Sequence, residues 1–282
     1  MYPVRGGDVI QPDDQDRYHP LTGDPILLSR ILAAEQYASM MLPYIPRGLP
    51  VFQSHGIHHS LRIIRLLNQI FRAPGIQILR LEAFLLYVAA WFHDIGYLNP
   101  LSIHNRSMHP SLSVEMIHKD TGIQSLLQGD EGAALDIIIR NHDTRTDLTG
   151  IRESGSSLRT PLLAALFRIA DAFDIGTDRC PVEVFSLIED GLDEHSRRHW
   201  LAHQNIAGCS ITPPIITVMV NDPENPFFKR RIVPHLEEDC LTTSEILRRY
   251  GITPFMPVYR QIPSESRNQQ KTAGSGCSPA EP

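Results

Sequence analysis

The feature that most constrains the fold of this chain is one apolar segment of helical length, ILRLEAFLLYVAAWFHD, at residues 78–94. Because it is apolar on most sides, it predicts a central helix that is surrounded by other elements. The apolar run ends at His93 and Asp94, although such runs usually end on a cap or turn residue. Two side chains that can bind metal at the end of a buried helix do not by themselves define a site, so the rest of the sequence must be searched for partners.

The composition is that of a soluble globular protein. The 282 residues are 42% hydrophobic and 21% charged, enough for one large domain or a domain with a smaller appendage. The formal charge of −6 gives no general attraction to nucleic acid or anionic lipid. The four cysteines form no CxxC pair, which indicates reduced thiols. With no hydrophobic signal core and no run long enough to cross a bilayer, the sequence predicts a cytoplasmic protein without a membrane partner.

Apolar residues at helical spacing predict further helices on both sides of the central one. These lie at residues 25–45 (ended by Pro43 and Pro46), 59–71, 109–120, 130–143 and 160–175. Pro110 suits a first helical turn, and Thr160 followed by Pro161 predicts an N-cap and a first helical residue.

The pattern changes after residue 205. CSITPPIITVMVND, at residues 209–222, is β-branched and predicts a strand or hairpin, and residues 242–252 predict a short last helix that stops at Gly251. The predicted fold is therefore mainly α, a helical bundle at residues 25–205 with a small α+β C-terminal extension at residues 206–262. Residues 1–24 are predicted to be irregular, and residues 263–282, rich in Gly, Ser and Pro, a disordered tail.

Histidine is unusually frequent, since eight of the 13 histidines lie between positions 55 and 142. Several candidate ligands fall at the ends of predicted helices, where side chains of a bundle can converge on a metal. His59 opens one helix, His93 and Asp94 close the central one, and His109 and His142 start and end two others, while Asp171 lies inside the last. Imidazole and carboxylate ligands suit Fe, Mn, Co, Ni or Zn better than Ca or Mg.

The motifs HHSLRII, WFHDIGY, MHPSLSVEMI, IIRNHD and FRIADAFD follow one another between residues 58 and 174. In this order the sequence resembles the HD-domain superfamily of metal-dependent phosphohydrolases, over roughly residues 50–180. The resemblance implies that His59, His93, Asp94 and Asp171 bind a first metal. It also implies that His109 and His142 hold a second one, with Asp94 bridging, so that Asp94, His109 and His142 are catalytic.

The implied activity is hydrolysis of a phosphate ester by a water that one or two divalent ions activate. Fe²⁺ or Mn²⁺ is favoured, and Zn²⁺, Co²⁺ and Ni²⁺ remain candidates. We favour a phosphodiesterase acting on a small nucleotide-like ester, including a cyclic one. A phosphomonoesterase, a triphosphohydrolase, a nuclease, a non-catalytic nucleotide-sensing module and a scaffold with a structural metal remain open alternatives.

The predicted partner is a small-molecule phosphate ester, while the acidic charge disfavours nucleic acid and a homo-oligomer is left open. Three arginines are predicted to hold the phosphate, Arg62, Arg140 and Arg145.

The remaining histidines receive other interpretations. His55, His58 and His104 are interpreted as pocket-edge or structural residues. His195, His199 and His203 repeat every fourth residue without an acidic partner in register, which favours an exposed or partly packed helix face over a metal site. Asp174 is expected to support a ligand rather than to bind metal.

Overall fold

The computed structural model describes residues 17–45, 55–153 and 158–263, and the side chains of Ile103 and His195 are not described. The predicted N-terminal irregular segment and C-terminal tail therefore lie largely outside the described residues, as do Pro46 and Cys277. Cys209 and Cys240 are free thiols, in agreement with their spacing. None of the helices in the described ranges is long and apolar enough to cross a membrane.

The fold is mainly α, with a small sheet near the C-terminus, as predicted. The α-helices of the first half are α1 (Pro25–Met41), α2 (Ile57–Phe71), α3 (Arg80–Phe92), α4 (Leu101–His104), α5 (His109–Lys119), α6 (Thr121–Gln124) and α7 (Glu131–Arg140). Those of the second half are α8 (Thr160–Ala172), α9 (Val182–Ile188), α10 (Glu194–Gln204) and α11 (Val233–Arg249), the last continuing a π-helical turn at Phe228–Ile232. Single 3-10 turns include Ile95–Leu98, Arg106–Met108 and Thr177–Arg179.

Helix α3 is the centre of the bundle, which confirms the prediction from its apolar sequence. Every residue from Glu82 to Phe92 is buried, and α3 contacts α1, α2, α7 and α8. The one buried charge on this helix, Glu82, accepts hydrogen bonds from the Leu79 backbone N–H and from the Arg159 guanidinium, which compensates its desolvation. The residues that follow α3 therefore emerge inside the protein rather than at its surface.

The small sheet has the order β1-β2-β3, with β1 (Ile206–Thr212) antiparallel to β2 (Ile215–Val220) and β3 (Met256–Gln261) parallel to β2. The β1–β2 hairpin was predicted and β3 was not. Ile216, Val218 and Val220 alternate with less buried residues and are fully buried. Strand β1 packs on α2, and α11 packs on both β3 and α8, so the extension shares the hydrophobic core of the bundle.

Two local predictions are wrong. Helix α8 begins at Thr160, with Arg159 rather than Thr160 at the N-cap position and no side-chain capping bond. The last helix, α11, begins at Val233 with Pro234 in its first turn, so it is longer than the segment predicted at residues 242–252. It ends at Arg249, and Gly251 follows with a φ of 72°, a conformation that glycine adopts without strain.

Candidate metal centre

The structure brings the first four predicted ligands together. His59 lies in the first turn of α2, His93 follows α3 directly, and Asp171 lies in the last turn of α8. The Nε2 atoms of His59 and His93 are 3.1 Å apart, and Asp171 Oδ1 lies 3.3 Å from the first and 3.7 Å from the second. Three helices thus place two imidazoles and a carboxylate around one point.

Asp94 lies between two groups of histidines. Its Oδ2 atom lies 3.4 Å from His59 Nε2 and 3.2 Å from His93 Nε2. Its Oδ1 atom lies 3.4 Å from His109 Nε2, which is 2.9 Å from His142 Nε2. The two oxygens of one buried carboxylate therefore face two separate imidazole pairs, the arrangement that a ligand bridging two ions needs.

Each of these four imidazoles is oriented by a hydrogen bond of its Nδ1 atom. His59 Nδ1 lies 2.6 Å from Asp174 Oδ2, and His93 Nδ1 lies 3.2 Å from the Ala89 carbonyl oxygen. Nδ1 of His109 bonds the Arg106 carbonyl at 2.7 Å, and Nδ1 of His142 bonds the Ile139 carbonyl at 2.6 Å. Because these acceptors place a proton on Nδ1, each Nε2 can serve as a lone-pair donor to a metal when its ring is neutral.

The distances fit a divalent ion better than a set of direct hydrogen bonds. Two ligands at right angles, each about 2.1 Å from an ion, lie about 3.0 Å apart. The Nε2 atoms of His59 and His93 are 3.1 Å apart and those of His109 and His142 are 2.9 Å apart, close to this value. His59, His93 and Asp171 form one set of atoms that can hold an ion, and His93, Asp94 and His142 form another.

The charges of the cluster also favour a bound cation. Burial and the charge of Arg179 lower the pKa of His59, but hydrogen bonds to Asp171, Asp174 and Asp94 outweigh them and raise it to about 10. Burial raises the pKa of Asp94, but His93 and His55 lower it well below its usual range. The carboxylates therefore stay ionised and hold a proton on His59, at a place where a metal ion would supply the same positive charge.

The second pair of histidines is kept neutral. Burial lowers the pKa of His109 to about 4, with His142 acting in the same direction and Asp94 opposing it. Burial also lowers the pKa of His142, against the charge of Asp171. Neutral imidazole is the form that binds metal, so this pair is ready to do so near pH 7 without losing a proton.

Asp174 supports the cluster from behind, as expected from its place three residues after Asp171. Besides His59, it accepts two hydrogen bonds from Arg62, with Nε 2.6 Å from Oδ1 and the terminal nitrogen 3.0 Å from Oδ2. Burial opposes ionisation of Asp174, but His59, Arg179 and Arg62 together lower its pKa below the usual range. Arg62 is thus bound to Asp174, and its predicted role in holding substrate is replaced by one in orienting His59.

Gly96 brings the two halves of the cluster together. A Cβ atom at position 96 would lie 2.2 Å from the backbone oxygen of His109 and 2.7 Å from the backbone nitrogen of Ser113. The Gly96 N–H donates to Ser113 Oγ at 2.8 Å, and this hydroxyl donates to the His93 carbonyl. Only glycine allows the turn after Asp94 to pack this closely on the start of α5, which positions His109.

Arg168 positions His142, and sequence reasoning missed it. This side chain is fully buried in α8, and its guanidinium donates to the backbone oxygens of Asn141, Asp143 and Thr146. These bonds satisfy the carbonyls of the turn that follows α7 and carries His142. The arginine within the apolar sequence of α8 was the one feature that could have indicated this buried role.

The cluster opens into a cavity of about 450 Å³, within the size range of small-molecule sites. Its lining includes Asp94, Asp171, His109 and His142, with Arg145, whose Nε is 2.8 Å from Asp143 Oδ1. Arg140, in contrast, is exposed and lies 3.4 Å from Ser111 Oγ, so its predicted role in holding phosphate does not fit its position.

Among the other histidines, only some take part in the cavity. His55 lines it, and its Nδ1 lies 2.8 Å from Asp94 Oδ2, which fits the predicted pocket edge, whereas His58 and His104 are exposed. His199 and His203 on α10 also line the cavity. His199 is exposed, as interpreted from the sequence, whereas His203 is buried. The side chain of His195 is not described.

Further cavity residues were not identified from the sequence. They include Tyr97, whose ring stacks on His109 with centroids 4.3 Å apart, and Asp239 on α11. Burial raises the pKa of Asp239 to about 7, although Thr144 and Arg168 oppose the shift.

A helical bundle in which His and Asp side chains in α2, α5 and α8 and directly after α3 and α7 meet at one cavity is an HD-like domain. The family model HD-CE matches residues 47–238, about two thirds of the chain, and the protein belongs to this family. Comparison with curated proteins and with solved structures finds no match. The match includes α9 and α10 and reaches the first turns of α11, so the family extends beyond the segment that carries the HD motifs.

Proposed function

We propose that this protein is a metal-dependent phosphohydrolase that cleaves a small phosphate ester, a phosphodiester of a nucleotide or nucleotide-like molecule in particular. The observation that carries the proposal is Asp94, whose Oδ2 faces His59 and His93 while its Oδ1 faces His109. A carboxylate placed in this way can join two ions, and a pair of ions suits a diester because it stabilises both the attacking and the leaving oxygen.

Each residue of the cluster has a definite task in this proposal. His59, His93 and Asp171 would hold one ion, His109 and His142 would hold the other, and Asp94 would contribute to both sites. Divalent ions bound there would polarise the phosphoryl oxygens and lower the pKa of water, so that hydroxide is available near neutral pH. Asp174 and Arg62 keep His59 in its ligand tautomer, which maintains the first site during turnover.

The cavity supports a small substrate. Its volume of about 450 Å³ fits a nucleotide-sized molecule. Arg145 lines the cavity and forms an ion pair with Asp143. Because the Arg145 side chain is largely exposed, it can turn from Asp143 to a phosphoryl oxygen. With a net charge of −6, the chain has no general attraction to a nucleic-acid polymer.

The test is a phosphate-ester screen on metal-free protein that has been reconstituted anaerobically with one ion at a time. We expect hydrolysis of bis(4-nitrophenyl) phosphate, and of a cyclic nucleotide, with Mn²⁺ or Fe²⁺, and much less with Mg²⁺ or Ca²⁺. Air should inactivate the iron form, and a reductant should restore it. Faster turnover of 4-nitrophenyl phosphate would indicate a phosphomonoesterase, and no turnover of any ester with any ion would exclude a phosphohydrolase.

A further inference from the structure

A second group of basic side chains lines the same cavity. Arg179 ends the 3-10 turn at Thr177–Arg179, and His199 and His203 lie one helical turn apart on α10. We call Arg179, His199 and His203 the basic wall. Its residues lie outside the HD motifs, and none of them is a proposed metal ligand.

Arg179 is held in the wall by Asp174 but keeps one nitrogen unpaired. The side chain is only 8% exposed, and a terminal nitrogen donates to the Asp174 backbone oxygen at 2.9 Å. Its Nε lies 4.0 Å from Asp174 Oδ2 and has no hydrogen-bond partner among the described residues. Because the Asp174 carboxylate already accepts bonds from His59 and Arg62, it compensates the Arg179 charge only in part.

His203 also has a buried nitrogen without a hydrogen-bond partner among the described residues. The side chain is 3% exposed, and its Nδ1 is buried with no partner in the described part of the chain. A buried polar atom without a partner is destabilising, and native proteins retain one mainly where a ligand or water completes it. His199 stands beside it, with ring centroids 4.7 Å apart, and is itself exposed, so the wall is open to the cavity.

The three side chains also disfavour one another's positive charge. Burial lowers the pKa of His203 well below its usual range, and His199 and Arg179 lower it further, against the weaker influence of Asp174. An anion at the wall would remove this repulsion and would accept hydrogen bonds from the side chains that line it.

We infer that the basic wall binds a second phosphoryl group of the substrate whose scissile ester lies at the His and Asp cluster. The inference rests on the proposed function. The substrate class is then a phosphate ester with two phosphoryl groups, such as a nucleotide that is phosphorylated at two positions, and both groups occupy one cavity of about 450 Å³.

Isothermal titration of the metal-free, full-length protein with inorganic phosphate tests the wall directly. The unmodified protein should bind phosphate at millimolar concentration, and His203→Leu should weaken binding by at least about tenfold, because it removes a donor to a charged group. The matched control is His118→Leu, since His118 is exposed on α5 and pairs with Asp136; it should bind like the unmodified protein.

Two results would overturn the inference: no binding to the unmodified protein, or equal binding by His203→Leu. Circular dichroism reports whether the buried substitution folds. If it does not, His199→Gln at an exposed position takes its place, with an expected loss of about threefold or more; equal binding would again overturn the inference.

The substrate class is tested with the metal-loaded protein. Thymidine 5′-(4-nitrophenyl phosphate) with a 3′-phosphate should have a higher kcat/KM than the same ester without it, and His203→Leu should reduce this ratio toward one. If the two esters have nearly equal kcat/KM values in the unmodified protein, the inference that the wall binds a second phosphoryl group is overturned.

Hydrolysis of bis(4-nitrophenyl) phosphate, which has a single phosphoryl group, separates this inference from the proposed function. Phosphate binding without any hydrolysis would contradict the proposed function and leave the wall as an anion site. Hydrolysis without phosphate binding would support the proposed function and would contradict the basic wall as an anion site.

Discussion

The metal cluster and the basic wall both place histidines on one cavity, but they differ in how the rings are held. In the cluster, His59, His93, His109 and His142 each have an Nδ1 bonded to a carboxylate or a carbonyl. In the wall, His203 Nδ1 is buried without a partner among the described residues. The first arrangement is complete before a ligand arrives and presents lone pairs to a cation. The second is incomplete and presents donors to an anion.

The largest effect is expected from substituting Asp94. This change should abolish the function of the metal cluster and leave that of the basic wall intact. Asp94→Ala should remove bound metal and reduce ester hydrolysis by about a thousandfold, because both proposed ions lose a shared ligand. Phosphate binding at the wall should remain. Metal analysis, turnover and circular dichroism measure the three properties.

Asp190→Ala is the control for this change, since Asp190 is exposed. If Asp94→Ala keeps full turnover and full metal content, Asp94 is not part of the metal site. If the helical signal is lost, Asp94 is required for folding instead.

Asp174 contacts both regions and should show an intermediate effect. Asp174→Asn weakens the hold on His59 Nδ1 and on Arg62, so metal affinity should fall by about 10- to 100-fold. A competition assay with a fluorescent chelator measures it. Asp136→Asn, which affects the partner of the exposed His118 away from the cluster, should leave affinity unchanged. Equal affinity in the two variants would show that the tautomer of His59 does not depend on Asp174.

Gly96 tests whether the close packing below the cluster is required. Gly96→Ala should reduce the free energy of unfolding by about 1–3 kcal/mol, because the new Cβ meets backbone atoms that cannot move independently. It should also weaken metal binding, since His109 is displaced. Gly132→Ala, within α7 and with nothing near its Cβ position, should instead be neutral or slightly stabilising. Urea denaturation of both variants compares them, and equal stabilities would contradict the packing argument.

The smallest effect concerns Asp239, on the part of the cavity that α11 contributes. Its pKa is raised to about 7 by burial, so between about pH 4 and pH 7 the folded protein keeps a proton that the unfolded chain has lost. This contribution makes the protein less stable as the pH rises through that window.

Asp239→Asn removes this dependence. In metal-free protein, the melting temperature of the variant relative to the unmodified chain should therefore increase between about pH 5 and pH 8. A difference that does not change with pH would show that Asp239 titrates normally.

The cluster could be predicted from the sequence because apolar spacing determines which helix faces turn inward. His59, His93 and Asp171 lie at the ends of such faces, and the buried α3 requires Asp94 to emerge inside the protein. The proposed ligand roles were implied by the family resemblance, and the geometry agrees with their proximity.

The other features of the fold and the site depend on tertiary packing, which cannot be read from the periodicity of apolar residues. Helix α10, EHSRRHWLAHQ, has the polar pattern of an exposed helix, yet His203 is buried because its polar face lines a cavity. Strand β3 contains Pro257 and pairs in the sheet with β2, a parallel neighbour about 40 residues earlier. Arg168 is buried because its acceptors are the carbonyls of a turn, and a turn's acceptors cannot be identified from composition.

Metal stoichiometry tests the central claim most directly. Full-length protein, His109→Gln and His142→Gln should be stripped with chelator, reconstituted anaerobically with Mn²⁺ or Fe²⁺, freed of loose ions by gel filtration and analysed by mass spectrometry for metal per chain. The expected result is two ions in the unmodified protein and one in each variant, because Asp94 Oδ2 still faces His59 and His93 when the other pair is broken. An unmodified protein that retains no ion would contradict the account, and equal stoichiometry in all three proteins would show that Asp94 does not join two sites.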